Sequence, residues 1–428
     1  MSQTFQQLST DELQAQLSDL RAQADAIRAR GLALTMARGN PSPEQLELSK
    51  PLLDVLSSSS DLVTEGIDAG NYGAPDGLPA ARRLMADILG VDPANLVVGG
   101  SSSLEIMNDV LNHCWIHGVC GHTPWSQQGT VKFLCPCPGY DRHFRATEYL
   151  GMVNVAIDMT PTGPDMDQVR ELVENDPQVK GIWIVPKYAN PTGVTLSDDT
   201  VRALARLRPA APDFRIFYDN AYVVHDLSDE PDELLNIFDA LAEADAPSLV
   251  YEFASTAKVT FPGSGIACVT ASPADMADLR ASIAVQRVCA NKLVQLAHVR
   301  FLPDAAAVRA HMARHAAVVR PRFELVERKL SEGLGDTGLA TWTHPRGGYF
   351  VCFYGPEGSA KAIVALCAEL GVTLTPAGAP FPGGNDPHDA VIRIAPTFPS
   401  LEDLGAACDV LVLATRIVAA EQELARRA

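Results

Sequence analysis

No apolar stretch in this chain approaches the ~18 consecutive residues that a membrane-crossing helix needs. The first residues, Met1 to Asp11, lack the basic-then-apolar layout of a secretory leader. Positive charge is also scarce: 34 Lys and Arg stand against 52 Asp and Glu, a net charge of −18 that leaves no basic footprint for nucleic acid. Cysteines number nine, an odd count, and none falls in a paired CxxC spacing. Most sit in apolar stretches such as Leu366-Cys367-Ala368, so free thiols in a reducing compartment are expected, not a disulfide framework. Internal repeats and low-complexity segments are missing as well. These absences leave a soluble, cytoplasmic protein of 428 residues, long enough for two or three domains.

What is present is organised. Ser9 and Glu12 have the spacing of a capping box, and Leu13, Leu17, Leu20 and Ile27 form an apolar stripe behind it. This predicts a helical arm to about Arg30, packed on its own small domain or on a partner subunit. From about residue 60 to 300, strand, loop and helix patterns alternate as in doubly wound α/β chains. A long helix or helix pair follows from Ala306 to Gly335. Then come a strand at Gly347–Phe353, a helix from Ser359 to Leu370, a strand pair near Val372 and Val391–Ile394, and a last helix from Leu401. The expected division is 1–60 for the arm and part of the small domain, 61–304 for the large domain and 305–428 for the rest of the small one.

Three strand-like runs in the large domain end in polar turns. Gly181–Lys187 leads to Asn190-Pro191-Thr192-Gly193, Phe214–Tyr218 leads to Asp219-Asn220-Ala221-Tyr222, and Leu249–Phe253 leads to Ser255-Thr256-Ala257-Lys258. The carboxyl ends of parallel strands are where open α/β sheets bind ligands. An amine able to form an imine, a carboxylate to pair with a pyridinium nitrogen, and amide and phenol donors for a ring oxygen are what pyridoxal 5'-phosphate requires. Lys258 would carry the cofactor aldehyde and then move the substrate α-proton. Asp219 would keep the ring nitrogen protonated, and Asn190 and Tyr222 would hydrogen-bond the ring oxygen. Each residue alone has an ordinary structural explanation, a helix cap or a solvated lysine; their order on successive strand ends is the signal.

The order Asn-Pro-Thr-Gly, Asp-x-Ala-Tyr, Ser-x-x-Lys and Ile-Arg-Ile resembles fold-type I, class I/II aminotransferases, over most of the chain from about Leu34. The stretch from Asn291 to Phe301 further resembles their MocR-type branch, which includes stand-alone aspartate aminotransferases. The resemblance implies a large domain with a mainly parallel seven-stranded sheet, a smaller α+β domain, and a homodimer with shared active sites. It implies that Gly100, Ser101 and Ser102 cradle the cofactor phosphate at a helix N-terminus, where amides and dipole favour an anion. Ser255 would join them, Tyr140 would stack on the ring, and Tyr72 would reach the neighbouring subunit's phosphate. Arg393 would fork onto the substrate α-carboxylate beside the Gly39 backbone. The substrates implied are an amino acid and a 2-keto acid, with aspartate and 2-oxoglutarate as the pair and Arg38 or Arg346 as partners for a side-chain carboxylate.

One position departs from the pattern. Where the family carries Pro-Gly-x-Arg, its arginine on the phosphate, this chain reads Pro262-Gly263-Ser264-Gly265. Either Ser255, Ser101 and Ser264 act as neutral donors, or a cation arrives from elsewhere, with Lys292 and Arg287 as candidates. A His/Cys group (His113, Cys114, His117, Cys120, His122) lacks the spacing of a structural zinc site and is expected to be buried thiols and helix-end histidines. Rival readings keep the same residues: an aromatic aminotransferase, a lyase, or a ligand-sensing regulator without catalysis.

Overall fold

The computed structural model describes residues 5–246 and 249–428. Its larger part is built on strands β1 (Leu96–Val98), β2 (Lys132–Cys137), β3 (Val153–Thr160), β4 (Gly163–Pro164), β5 (Val179–Ile184), β6 (Arg215–Asp219), β7 (Val250–Ser255) and β8 (Ala267–Thr270). They lie in the order β1-β8-β7-β6-β5-β2-β3-β4. The five strands from β7 to β3 are parallel to their neighbours, β8 runs antiparallel between β1 and β7, and two-residue β4 is appended antiparallel at the edge of the seven. β5 and β6 are buried along their whole length. This explains the apolar stretches Ile182–Ile184 and Ile216–Tyr218 at their centres, because helices cover both faces of such a sheet. One face packs on a core including Phe133, Trp183, Phe217 and Phe253, the other on a core including Ile182, Ile184, Ile216 and Tyr218.

The arm is a helix over Thr10–Ala29, and the Ser9–Glu12 capping box forms. Its stripe of Leu13, Leu17 and Leu20 is buried against the chain's own last helix, Leu401–Arg427, in a core that also takes in the long helix Ala305–Leu334. The smaller α+β part has a three-stranded antiparallel sheet of Thr341–Trp342, Val351–Tyr354 and Val391–Ile394. Val372 and Val391 do not form the strand pair that the sequence suggests. Val372–Thr373 pairs in parallel with Leu34–Thr35, while Val391–Ile394 pairs with Val351–Tyr354. A two-residue strand with a partner more than 300 positions away leaves no periodic trace in the sequence. Among the described residues, no helix is long and apolar enough to cross a membrane.

One buried carboxylate in the large sheet carries a stability prediction. Glu252, on β7, is 3% exposed, and among the described residues the one hydrogen-bond partner of its carboxyl is the Asn220 amide at 2.8 Å. Burial pushes its carboxyl up from the ordinary 4.5 to about 7. Between these values the folded chain holds a proton that the unfolded chain has lost. The contribution of Glu252 to stability is therefore greatest below pH 4.5, falls as pH rises through about 7, and is flat above. The whole change is on the order of 3 kcal/mol. Glu252→Gln keeps the acceptor for Asn220 without the titration. Urea unfolding at pH 5 and pH 8 should show a smaller loss of stability in this variant than in the parent chain; an unchanged difference would remove Glu252 as its source.

Candidate active site

Four neighbouring parallel strands, β7, β6, β5 and β2, bring their carboxyl ends to one edge, and the polar turns that follow them converge there. Between this edge and the smaller part lies a cleft of about 830 Å³, lined by Lys258, Tyr222, Asn190, Tyr140, Gly39 and Arg393. That volume accommodates a cofactor with a small substrate. Lys258 Nζ sits 4.9 Å from the Tyr222 ring centre. Burial pushes the pKa of Tyr222 and of Tyr140 above the ordinary phenol range, so both remain hydrogen-bond donors at neutral pH. The Tyr349 hydroxyl is 3.5 Å from the Lys258 carbonyl oxygen and accepts from the buried Gln45 amide at 3.0 Å, tying the lysine's backbone to the smaller part.

Asp219 lies beneath the cleft, 3% exposed. His143 Nε2 donates to its Oδ2 at 3.0 Å, and the imidazole stacks on Trp183 of β5 with centroids 4.4 Å apart and planes 12° from parallel. The other carboxylate oxygen, Oδ1, is buried without a partner. A buried carboxylate oxygen left unpaired costs about 1–3 kcal/mol or more, and a protonated ring nitrogen is the kind of donor that would satisfy it. Sequence reasoning missed His143. The available signal was its position three residues after Tyr140, one helical turn along the Asp141–Tyr149 helix.

Arg393 is held from several sides. Its Nη1 donates to Asn190 Oδ1 at 3.3 Å and pairs with Asp141 at 3.4 Å; its Nη2 reaches Thr375 Oγ1 at 3.2 Å and the Ala37 carbonyl at 3.4 Å. The guanidinium carbon lies 4.9 Å from the centre of the Phe350 ring, and Nε is buried without a partner. The ring also explains Gly39: a Cβ there would come within 2.5 Å of Phe350 Cζ, so glycine lets this backbone lie against the ring that Arg393 packs on. Arg38 lines the cleft, whereas Arg346 faces Asp232 and the Glu230 carbonyl outside it. Two further lining arginines, Arg142 and Arg145, share a helix with His143 and escaped the sequence reading because exposed helix arginines are commonplace.

Gly100, Ser101 and Ser102 sit at the start of the helix Ser103–His117, with Ser102 as its N-cap. The Ser101 amide and hydroxyl both donate to Glu105 Oε2, at 2.7 and 3.1 Å, so this helix N-terminus already attracts an anionic oxygen. Ser255, the last residue of β7, pairs with Ala267 of β8, and the Gly99 amide donates to the Ala267 carbonyl, which joins the two segments. Gly265 is close-packed here. A Cβ would stand 2.6 Å from the Ser101 carbonyl oxygen and 2.9 Å from Ala257 Cα, so no side chain fits at that position. Tyr72 is not brought to this cleft; it is 78% exposed on a loop whose Asn71 and Gly73 carbonyls accept from buried Lys292 Nζ. His113 and Cys114, of the His/Cys group, are buried; His113 bonds Asp278 at 2.9 Å.

The donor set fits pyridoxal phosphate: an amine in the cleft, an unsatisfied buried carboxylate oxygen, two phenols and an anion-attracting helix N-terminus. Residues 8–427 match the family model described as aspartate amino-transferase. The chain is 40% identical over 404 residues to an aspartate aminotransferase of Corynebacterium glutamicum, covering 94% of this chain and 93% of that one. The crystal structure of an aspartate transaminase from the same species superposes with a TM-score of 0.95 at 38% identity, over 99% of this chain and all of the other. An α-aminoadipate aminotransferase of Thermus thermophilus, solved with N-(5'-phosphopyridoxyl)-L-leucine, shares the fold at 20% identity, with a TM-score of 0.72 over 94% of this chain and 96% of that one. The chain therefore belongs to the aspartate amino-transferase family, the fold-type I enzymes that depend on pyridoxal phosphate, and is an aminotransferase.

Proposed function

We propose that this aminotransferase takes dicarboxylic substrates, with aspartate as donor and 2-oxoglutarate as acceptor, in two half-reactions through Lys258. The observation that carries the reading is the charge of the cleft. Beside Lys258 and Arg393 it is lined by Arg38, Arg142 and Arg145, against Asp141 and Glu148. A substrate with two carboxylates suits such a surplus, one taken bidentately by Arg393 and the other by an arginine of the lining. The curated relative from Corynebacterium glutamicum is itself named aspartate aminotransferase.

Bound in the cleft, pyridoxal phosphate supplies an aldehyde and an electron sink. The protein does the rest. Arg393, with the Gly39 backbone beside it, orients the substrate α-carboxylate so that the Cα–H faces Lys258. Lys258 Nζ takes that proton and later returns it, which makes it the general base and acid of both half-reactions. Asp219, steadied by His143, would hold a proton at the ring nitrogen. Asn190 and Tyr222 would donate to the ring oxygen, and Tyr140 would pack on the ring.

We further assign Tyr72 to a neighbouring subunit's site in a homodimer, a reading supported by its 78% exposure on a loop fastened by Lys292. We also place the chain in the MocR-type branch, on the sequence resemblance of the stretch from Asn291 to Phe301, which forms a helix over Lys292–Phe301 with Asn291 as its N-cap. The substrate reading is tested by a panel of amino donors with 2-oxoglutarate as acceptor. Aspartate should exceed phenylalanine and leucine in kcat/KM by at least tenfold, equivalent to about 1.4 kcal/mol of discrimination. Equal or better turnover of phenylalanine would replace it with the aromatic one.

A further inference from the structure

We infer that Arg287 supplies the cation for the cofactor phosphate that Gly265 cannot supply. This assignment rests on the pyridoxal-phosphate reading of the cleft and adds to it the identity of the anion's charge partner. Gly265 is excluded on packing grounds, because any side chain there would meet the Ser101 carbonyl and Ala257. Lys292 is the less available cation: its ammonium is buried, and two of its three protons go to the Asn71 and Gly73 carbonyls, which fix it to the Tyr72 loop.

Arg287 is differently placed. It leaves the Pro273–Gln286 helix in an extended conformation, φ −151°, and its guanidinium lies flat against Gly99, where a Cβ would collide with Cζ and both terminal nitrogens. Gly99 thus opens a slot for the guanidinium two residues before Ser101. Within it, Nε is buried and has no hydrogen-bond partner. The neighbouring carboxylates are Asp109, Asp76 and Glu105. Two are already engaged: Asp76 by Arg280 at 2.7 Å, and Glu105 by the Ser101 amide and hydroxyl.

Glu105 makes the electrostatic argument concrete. Its carboxylate takes two donors at the helix N-terminus that a phosphate oxygen would use, and it does so within the field of Arg287. A phosphate dianion placed on the same donors would face Glu105, Asp109 and Asp76. Without a nearby positive charge these would repel it; a largely desolvated guanidinium offsets them more effectively than one in water. Neutral serine donors alone do not carry the charge needed to do so.

The test uses purified holoenzyme stripped of cofactor and titrated back with pyridoxal phosphate and, separately, with pyridoxal, which lacks the phosphate. Binding is followed by the visible absorbance of the lysine-bound cofactor. For Arg287→Gln, affinity for pyridoxal phosphate should drop at least tenfold while that for pyridoxal stays within about twofold, and Arg287→Lys should recover most of the loss. Equal weakening of both ligands would mean that the side chain only fills the Gly99 slot, and unchanged affinity for both would also overturn the assignment. Failure of the unsubstituted protein to bind either ligand would instead overturn the cofactor reading itself.

Discussion

Lys258→Ala is expected to abolish turnover, with kcat down by at least about 10⁴-fold, while the fold survives. The loss combines two roles, covalent attachment of the cofactor and proton transfer at the substrate Cα, each of which contributes orders of magnitude. The fold should survive because Nζ projects into the cleft near Tyr222, while the segment's backbone is held independently by the Thr256 amide donating to Ile266 and by Tyr349. Circular dichroism and the unfolding midpoint should match the parent chain, and the visible absorbance band of the lysine-bound cofactor should vanish. Added methylamine should restore part of the turnover if proton transfer is the missing step. Wild-type turnover in this variant would sink the mechanism.

Arg393→Ala should separate substrate binding from cofactor binding. The guanidinium bonds Asn190 and Thr375 and pairs with Asp141, yet retains a buried Nε with no partner, so it is anchored while keeping unmet donor capacity. Two charge-assisted hydrogen bonds to a carboxylate are worth about 3–6 kcal/mol together. The corresponding fall in kcat/KM for the amino donor is roughly 10² to 10⁴-fold. The cofactor band should persist, because Arg393 is itself assigned to neither ring nor phosphate, and the one bond it gives a ring-assigned residue goes to Asn190 Oδ1, leaving the Asn190 amide donor in place. Amino-acid titration of the band with wild-type affinity would reject the assignment, and Arg393→Lys, lacking the planar fork, should recover little.

The readable parts of this molecule were those in which one local rule decides. Mainly apolar runs gave β5, β6 and β7, and the polar residues at their ends placed Asn190, Asp219 and Lys258 on one sheet edge, because parallel strands must deliver their carboxyl ends together. The capping box at Ser9 was equally local. What stayed hidden depends on distant contacts. His143 looks like any helix histidine until the fold sets it on Trp183 and against Asp219. Gly265 reads as a lost arginine until the backbone of Ser101 is found pressed against it, and Arg287 and Lys292 look interchangeable until one is found tied to the Asn71 loop and the other in the Gly99 slot. The Leu34–Val372 pairing is hidden for the same reason, since two residues carry too little pattern to name a partner.

The most direct test of the central claim is a spectrophotometric titration of the cofactor-loaded protein with aspartate alone, followed by 2-oxoglutarate. The lysine-bound band should bleach with one equivalent of oxaloacetate formed per site, and 2-oxoglutarate should restore it with one equivalent of glutamate. A band that ignores aspartate at millimolar concentration, or bleaches without return when the keto acid is added, would contradict the account.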